Sequence, residues 1–351
     1  MIFTKWQKHT KARFIFFLAS SILGGLLIFP PASHPKQGKW TQKADMPSPR
    51  MQLATAVVNG KIYAIGGLNG GSRAAVDEYD PQRNIWTRKA DMPTPRGGIA
   101  ASAVGGKIYV FGGHRVAFQP LDTVQMYDPA KDKWTRKKRM PAPMDRMTTS
   151  VVNGQIYLIG GWDFPDDVYA TVFQYNPEGD TWTRKADMPT ARGGHAAVVF
   201  EEKIYVCGGG TFKETTHGGI RYFDVVEMYD PVEDRWTRKP KMPVPNIGLG
   251  VETVDGKVYT IGGTASDNVS RLSRVDIFTP NDGVWIAEGG SRLPLARGGL
   301  SVSKVDDKIY AFGGFSGLGV VPTVNEYDPS VLNVSPKDNI VTTWGAIKRN
   351  R

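Results

Sequence analysis

The chain has 351 residues, among them 40 glycines, 24 prolines and nine tryptophans, a composition typical of a turn-rich all-β protein and not of a disordered or collagen-like one. Its formal net charge is +10, but residues 39–330 carry 35 Lys and Arg against 33 Asp and Glu, so most of the excess lies at the two ends. A nearly neutral body lacks the concentrated basic surface that binds phosphate backbones, which excludes nucleic acid as a partner.

Residues 1–30 have the pattern of an export segment. Four basic residues and no acid precede sixteen uncharged and largely apolar residues, Phe14–Phe29. Because a positive flank stays in the cytoplasm, we expect the rest of the chain to be exported, to a periplasm or to the cell surface. A cleaved signal and an uncleaved membrane anchor both fit, and the apolar length and the two prolines that follow favour the anchor. Residues 31–38 are then a predicted linker.

A pattern of about fifty residues recurs six times between residues 39 and 330. Each copy has an apolar strand with a tyrosine that ends in two glycines, then a variable stretch and a strand ending in Tyr-Asp-Pro or a variant of it. The glycine pairs begin at Gly66, Gly112, Gly160, Gly208, Gly262 and Gly313. In five copies a tryptophan follows six residues beyond the aspartate position, at Trp86, Trp134, Trp182, Trp236 and Trp285.

Together, these glycine pairs and spaced aromatic residues resemble the kelch motif over residues 39–330. The resemblance implies an all-β fold, a six-bladed β-propeller whose blades are four-stranded antiparallel sheets. Turn signals such as Asn59-Gly60 between the short strands agree with it. One such sheet cannot bury both of its faces, whereas a closed ring of sheets can, so the repeated Tyr and Trp are interpreted as packing between blades.

The N-terminal part of the repeat region is predicted to close the ring. Residues 40–47 read WTQKADMP, the signature of an outer strand, and they stand before the first blade. The last blade has Val334 where its tryptophan is expected, so it lacks an outer strand of its own. Trp344 is a rival for that place, but it comes ten residues late. The tail, residues 331–351, is otherwise expected to lie on the ring surface or to remain mobile.

One end of the predicted ring holds the variable sequence. With the strands of a blade lettered a to d from the innermost outward, this end carries the d-to-a connections and the b-to-c loops. An arginine follows the Met-Pro or Leu-Pro signal in five connections, and Asn246 replaces it in the fifth blade. These arginines are Arg50, Arg96, Arg146, Arg192 and Arg297. Two interpretations stay open: the arginines bind an anionic group at the mouth of the ring, or each one pins its own blade.

The b-to-c loops differ from blade to blade in length and chemistry, so they can specialise. Their aromatic and polar residues complete the predicted ligand-binding face. Besides the five arginines, that face includes His114, Trp162, Asp163, Phe212, His217 and Phe315. Exposed aromatic side chains are frequent anchors of protein interfaces, which favours a contact surface here.

Two enzyme classes have the kelch fold. The copper radical oxidases that resemble galactose oxidase need a cross-linked cysteine and two histidine ligands, but Cys207 lies in an apolar core strand and only His114 and His217 fall in mouth loops. No metal and no cofactor is therefore predicted. The second, which resembles the periplasmic N-acetylneuraminate epimerase, would need a general acid or base and arginines for the sugar carboxylate.

The sequence thus predicts an exported, monomeric kelch propeller. It would act as a binding module for a protein, a peptide or a glycan, with an anionic ligand, on its b-to-c/d-to-a face. A sugar-acid mutarotase or epimerase is the alternative function, and it rests on analogy of fold alone.

Overall fold

Tight turns set the length of every strand in the repeat. Asn59-Gly60 joins strands a and b of the first blade, and both residues adopt positive φ, 51° and 70°, as a type I′ hairpin turn requires. The a-to-b turns of the other blades also have positive φ at both central residues, at Gly105-Gly106, Asn153-Gly154, Glu201-Glu202, Asp255-Gly256 and Asp306-Asp307. Strands of about five residues between such turns give short sheets.

A computed structural model describes residues 36–115, 119–163, 167–212, 219–267 and 269–333. In it the repeats form six four-stranded antiparallel sheets, the blades of a six-bladed β-propeller. Blade 1 contains β2 (Ala54–Val58), β3 (Lys61–Ile65), β4 (Val76–Asp80) and β5 (Ile85–Arg88). Blade 2 contains β6 (Ala100–Val104), β7 (Lys107–Phe111), β8 (Val124–Asp128) and β9 (Lys133–Lys137).

Blades 3 to 5 repeat this order, from the inner strand to the outer one. Blade 3 contains β10 (Thr148–Val152), β11 (Gln155–Ile159), β14 (Val172–Asn176) and β15 (Thr181–Lys185). Blade 4 contains β16 (Ala196–Phe200), β17 (Lys203–Cys207), β20 (Val226–Asp230) and β21 (Arg235–Lys239). Blade 5 contains β22 (Gly250–Val254), β23 (Lys257–Ile261), β24 (Val275–Thr279) and β25 (Val284–Ile286). Two b-to-c loops add short pairs, β12 (Trp162–Asp163) with β13 (Asp167–Val168) and β18 (Gly210–Thr211) with β19 (Arg221–Tyr222).

Blade 6 combines strands from both ends of the repeat region. It contains β26 (Ser301–Val305), β27 (Lys308–Phe312), β28 (Val324–Asn333) and β1 (Lys36–Gln42). β1 pairs antiparallel with β28, with Trp40 opposite Tyr327. β1 begins within the segment predicted as a linker, at Lys36, because the backbone of Gln37 bonds to Gly289 and Ser291 of blade 5. β28 likewise runs to Asn333, three residues into the predicted tail.

A tryptophan on each outer strand joins its blade to the preceding one. Trp86 stacks on Tyr79 of its own blade, with ring centroids 4.9 Å apart, and its indole Nε1 donates to the carbonyl of Ala44 at 3.0 Å. The same hydrogen bond is made by Trp40, Trp134, Trp182, Trp236 and Trp285 to Ser291, Ala90, Lys138, Ala186 and Pro240. The repeated Trp is therefore a connector between blades, since its ring stacks on its own blade and its one donor bonds to the preceding blade.

Six backbone hydrogen bonds form a closed circle at the b-to-c/d-to-a end. Each blade contributes one residue just before its inner strand, and that residue donates to the carbonyl of its counterpart in the preceding blade at 2.8–2.9 Å. The six positions are Gln52, Gly98, Arg146, Gly194, Gly248 and Gly299. All have φ between 50° and 64°, a region that L side chains enter at a cost. Glycine accordingly holds four of the six positions.

Several predictions from the sequence concern residues outside the described ranges. These are the apolar segment Phe14–Phe29, Trp344 and the tail beyond Asn333. Within the ranges that the structure describes, no helix is long and apolar enough to cross a membrane.

We predict that Gly248→Ala destabilises the ring more than Gly256→Ala does. Both glycines have positive φ, 64° and 70°, so each alanine loses about 1 kcal/mol from backbone strain. A Cβ at position 248 would also lie 3.0 Å from the amide nitrogen of Gly299 in the hydrogen-bonded circle, whereas a Cβ at 256 meets nothing within 4 Å. Denaturant unfolding should show an extra loss of about 1–2 kcal/mol for Gly248→Ala. Equal losses would show that the circle does not constrain the ring.

Candidate functional site

The candidate site is a cavity of about 390 Å³ at the b-to-c/d-to-a end of the central channel. The six circle residues and the first residues of the inner strands line it. Because the a-to-b and c-to-d turns at the opposite end are short and similar, this is the end at which blades differ. A cavity of this size accommodates one sugar or a few peptide residues.

Four of the predicted arginines lie inside the blades and do not reach the cavity. Arg50, Arg96, Arg192 and Arg297, here called the core arginines, are each 0% exposed. Each donates to a carbonyl of strand b of its own blade at 3.2–3.4 Å. Three of them also donate to the carbonyl just before strand c, for example Arg96 to Thr123 at 3.1 Å. The structure therefore supports the second interpretation for these four residues. They hold the blade together and are not available to a ligand.

Two of the core arginines also meet a carboxylate on strand c. Arg50 Nη2 lies 2.6 Å from Asp77, and Arg192 Nη2 lies 2.9 Å from Glu227, with both partners buried. Burial lowers the pKa of Arg192 to about 10, an effect that Glu227 opposes, so the arginine stays charged near neutral pH. Buried ion pairs of this kind are costly to break, because one partner then stays charged without compensation.

The fifth predicted arginine, Arg146, occupies a different place. The position that matches a core arginine in blade 3 is Met144, which packs with Phe173 in the apolar core. Arg146 comes two residues later, in the hydrogen-bonded circle, with φ of 50°. Its side chain lines the cavity. Of the five arginines predicted for the ligand-binding face, Arg146 is therefore the one that reaches the cavity. In blade 5 the buried Asn246 replaces the arginine and donates to Gly262 at 2.8 Å.

Arg146 is held against an aromatic ring. Its guanidinium carbon lies 4.7 Å from the ring centroid of Trp162, within the range of a cation–π contact. Trp162 is buried, donates from Nε1 to Gly210 at 3.2 Å, and meets Phe212 edge to face at 5.8 Å. Burial lowers the pKa of Arg146, and the nearby Asp145 opposes that effect. The cation is thus fixed at the rim of the cavity.

The other predicted residues of this face lie around Arg146 with separate contacts. His114 is buried and its Nδ1 lies 2.7 Å from Oδ2 of Asp145, the residue that precedes Arg146. Asp163 accepts a hydrogen bond from Tyr169 at 3.2 Å. Neither His114 nor Asp163 lines the cavity. His217 lies outside the described residues.

A second arginine at the cavity was not predicted. Arg271, from the b-to-c loop of blade 5, lines the cavity, and its guanidinium carbon lies 5.0 Å from the ring centroid of the predicted Phe315. It also donates to Thr264 Oγ1 at 3.3 Å. Tyr222 and Gln52 line the same space. Because Arg271 and Tyr222 stand in b-to-c loops without a repeated pattern, no alignment of the blades points to them.

Acidic and basic side chains are unequally distributed at this site. Arg146 and Arg271, here called the mouth arginines, both line the cavity, and its described lining contains no Asp or Glu. The one histidine in the lining, His195, is buried, and burial lowers its pKa to about 3, so it is neutral at physiological pH. The cavity therefore presents positive charge, aromatic surface and hydroxyl groups.

One carboxyl group of an inner strand interacts with the neighbouring blade 6. Glu252 stands on the inner strand β22, where other blades have Ala, Ser or Val. Loss of hydration raises its pKa to about 7, and backbone amide donors and Lys304 oppose the shift. At neutral pH this group is therefore only partly ionised.

No group of three His, Cys, Asp or Glu side chains in the described part of the chain is placed to hold a metal ion. Cys207 is a buried core residue, and burial raises its pKa to about 12, which makes the thiol unreactive at neutral pH.

Comparisons with known proteins agree on the repeat. A family model, the KLHDC2/KLHL20/DRC7 Kelch-repeats domain, matches residues 26–209, and the Kelch motif matches residues 191–243 and 245–288. Kelch-like protein 35 of Mus musculus is 30% identical over 111 residues, 32% of this chain and 18% of that protein. Beta-scruin of Limulus polyphemus is 30% identical over 119 residues, 30% of this chain and 13% of that protein.

The matched segments thus span less than a fifth of the length of these curated relatives. Among solved structures, that of YjhT superposes with a TM-score of 0.69 and 19% identity, and the match covers 81% of this chain and 95% of YjhT. At that identity the likeness concerns the fold alone.

We predict that Arg192→Met unfolds the ring readily and that adding Glu227→Phe repairs it. The single change leaves a buried carboxylate without its partner, which costs about 3–5 kcal/mol. The double change recreates the Met144–Phe173 pair that blade 3 already uses, so stability should return to within about 1.5 kcal/mol of the original. Denaturant unfolding of both variants checks this. A double variant no more stable than the single one would contradict the assigned role of the core arginines.

We predict that Glu252→Gln flattens the dependence of stability on pH. Since the folded pKa of about 7 lies above the ordinary value of 4.5, the folded state binds the proton more tightly. This group therefore lowers stability progressively as the pH rises from about 4.5 to about 7, and adds nothing further above that range. Melting temperatures at pH 5 and pH 8 should differ less in the variant than in the original chain. An unchanged difference would show that Glu252 is well hydrated.

Proposed function

The chain belongs to the kelch-repeat family, and we propose that its propeller binds an acidic segment of a partner protein at the mouth of the channel. Kelch propellers are generally protein-binding modules. The observation that carries the proposal is the pair of mouth arginines, each stacked on an aromatic ring, around a cavity without a carboxylate in its described lining.

The stacking makes these two arginines suitable for recognising a carboxylate. A guanidinium presents a planar fork of donors that matches a carboxylate, and an aromatic face restricts its motion. The partial burial of Arg146, 19% exposed, reduces competition from water, which strengthens a charge-assisted hydrogen bond. Hydroxyl groups of Thr55, Thr148 and Ser301 in the lining would complete the contacts with a peptide backbone.

A sugar acid has the same anionic group and is the alternative ligand. The mutarotase that the sequence suggested would in addition need a general acid or base at the sugar. His195 is too weak a base for that role, because its pKa is about 3. The cavity lining thus favours binding without catalysis.

We further propose that the ring works outside the cytoplasm. The proposal rests on the basic and apolar sequence before residue 30. Protease added to intact cells that express the chain should digest the ring if the ring lies on the cell surface. If the ring lies in a periplasm, the protease should digest it only after the outer membrane has been opened. Protection that persists until the inner membrane is broken would contradict export.

We predict that Arg146→Ala and Arg271→Ala each weaken binding of a blocked Asp-Glu-Asp-Glu peptide about tenfold, the effect of one lost charge-assisted pair. Calorimetry at two salt concentrations should show weaker binding at the higher one, as charges attract less in salt. The matched control is Arg184→Ala, since Arg184 also lies over an aromatic ring, Phe173, at 5.1 Å, but on the outer strand of blade 3. Binding that persists in the Arg146/Arg271 double variant, with unchanged melting temperature, would overturn the proposal.

An assay of the unmodified chain with sugar acids distinguishes the binding module from the mutarotase. A panel of sugar acids is added, and NMR exchange spectroscopy follows the interconversion of their anomers. Accelerated exchange would favour the mutarotase, while binding without acceleration leaves a module for sugar acids in place of one for acidic peptides.

A further inference from the structure

Positive charge gathers at one further place, the outer edge of blade 2. Residues 131–139 contain six Lys and Arg and one acid, Asp132. Their net charge of +5 exceeds the net charge of +2 of residues 39–330 as a whole. These nine residues, here called the basic edge, include the outer strand β9, and all of their Lys and Arg side chains except Lys137 are exposed.

At Arg136 the basic edge lacks the acids that pair with the matching arginine of other blades. In blade 1, Arg88 of the repeated Trp-Thr-Arg sequence pairs with Asp77 and Asp91. The matching positions in blade 2 are the neutral Gln125 and the basic Arg139. In the described part of the chain, Arg136 consequently has no carboxylate within ion-pair distance, whereas Arg184 in blade 3 has Asp187 and Arg238 in blade 4 has Glu227. Lys133 and Lys138 also have none there, while Lys131, Lys137 and Arg139 lie within 4.0 Å of Asp128, Asp180 and Asp122.

The charges also lie along an open strand. β9 is the terminal strand of the sheet β6-β7-β8-β9, so its outward backbone groups can pair with an added strand. Lysine and arginine at such an edge repel an identical edge, which discourages pairing between two copies of this chain. They attract an extended segment of opposite charge, which would gain backbone hydrogen bonds and ion pairs together.

From this combination we propose that the basic edge binds an extended acidic segment of a protein, which adds to blade 2 as a fifth strand. A flat anionic membrane would use the charges but not the open backbone edge of β9, and for this reason the peptide is favoured. This surface is independent of the cavity, because it lies on the outermost strand and the cavity lies at the innermost one.

The test uses the whole chain and a blocked ten-residue peptide that alternates glutamate with threonine, labelled with fluorescein. Fluorescence anisotropy should show binding that weakens about tenfold in the variant K133Q/R136Q/K138Q, the combined effect of three exposed ion pairs. The control is R235Q/R238Q/K239Q, which removes the same charge from β21 of blade 4 and should bind as the original does. Because the cavity is also proposed to bind acidic peptides, the comparison is repeated in the R146A/R271A variant, where the remaining binding should again weaken about tenfold when K133Q/R136Q/K138Q is added, which separates this site from the cavity.

Hydrogen exchange then distinguishes strand addition from loose attraction. Bound peptide should slow exchange of backbone amides within residues 133–137 and leave those within 181–185 unchanged. Equal loss of binding in the two triple variants, or no protection of β9, would overturn the proposal. So would binding to phosphatidylserine vesicles that depends on Lys133, Arg136 and Lys138 while the peptide fails to bind, a result that would assign the edge to lipid.

Discussion

The circle of six backbone hydrogen bonds at the channel mouth fixes the geometry on which the rest of this propeller depends. Each bond joins neighbouring blades at one residue, and that residue must have positive φ. Glycine satisfies this at four positions. At the other two positions, Gln52 and Arg146 line the cavity with side chains that start from the circle itself. The requirement for positive φ thus limits which circle positions can carry a side chain that contacts a ligand. At the outer edge, the tryptophan side chains join neighbouring blades by hydrogen bonds. The sequence of the inner strands can therefore differ from blade to blade.

Most of the fold could be predicted from the sequence, because a repeat provides its own alignment. Glycine pairs, hairpin turns and the Tyr–Trp spacing recur six times, and the structure confirms six four-stranded kelch blades. Boundaries were less predictable. β1 begins at Lys36 because Gln37 bonds to blade 5 through its backbone, and backbone contacts leave no signature in side-chain chemistry. The raised pKa of Glu252 was equally hidden, since it depends on how far the neighbouring blade removes this inner-strand residue from water.

The candidate site was only partly predictable, and the reason lies in a shift of two residues. The core arginines follow the Met-Pro or Leu-Pro signal by four positions, as Arg50 follows Met46, whereas Arg146 follows Met140 by six. The number of residues from this Met or Leu to the arginine therefore distinguishes an arginine that stabilises a blade from one that faces a ligand. Blade 3 has no arginine of the first kind, and Met144 packs with Phe173 in its place. Arg271 could not be found by such a count, because the b-to-c loops have no repeated sequence from which to count.

The arginines at this end of the propeller fall into two groups, those that hold blades and those that face a ligand. NMR of the side-chain Nε–Hε signals, recorded as the blocked Asp-Glu-Asp-Glu peptide is added, tests that division directly. The signals of Arg146 and Arg271 should shift in proportion to occupancy, while those of the four core arginines should stay in place. A peptide that binds and moves the signals of the core arginines, or leaves both mouth arginines unmoved, would contradict the account.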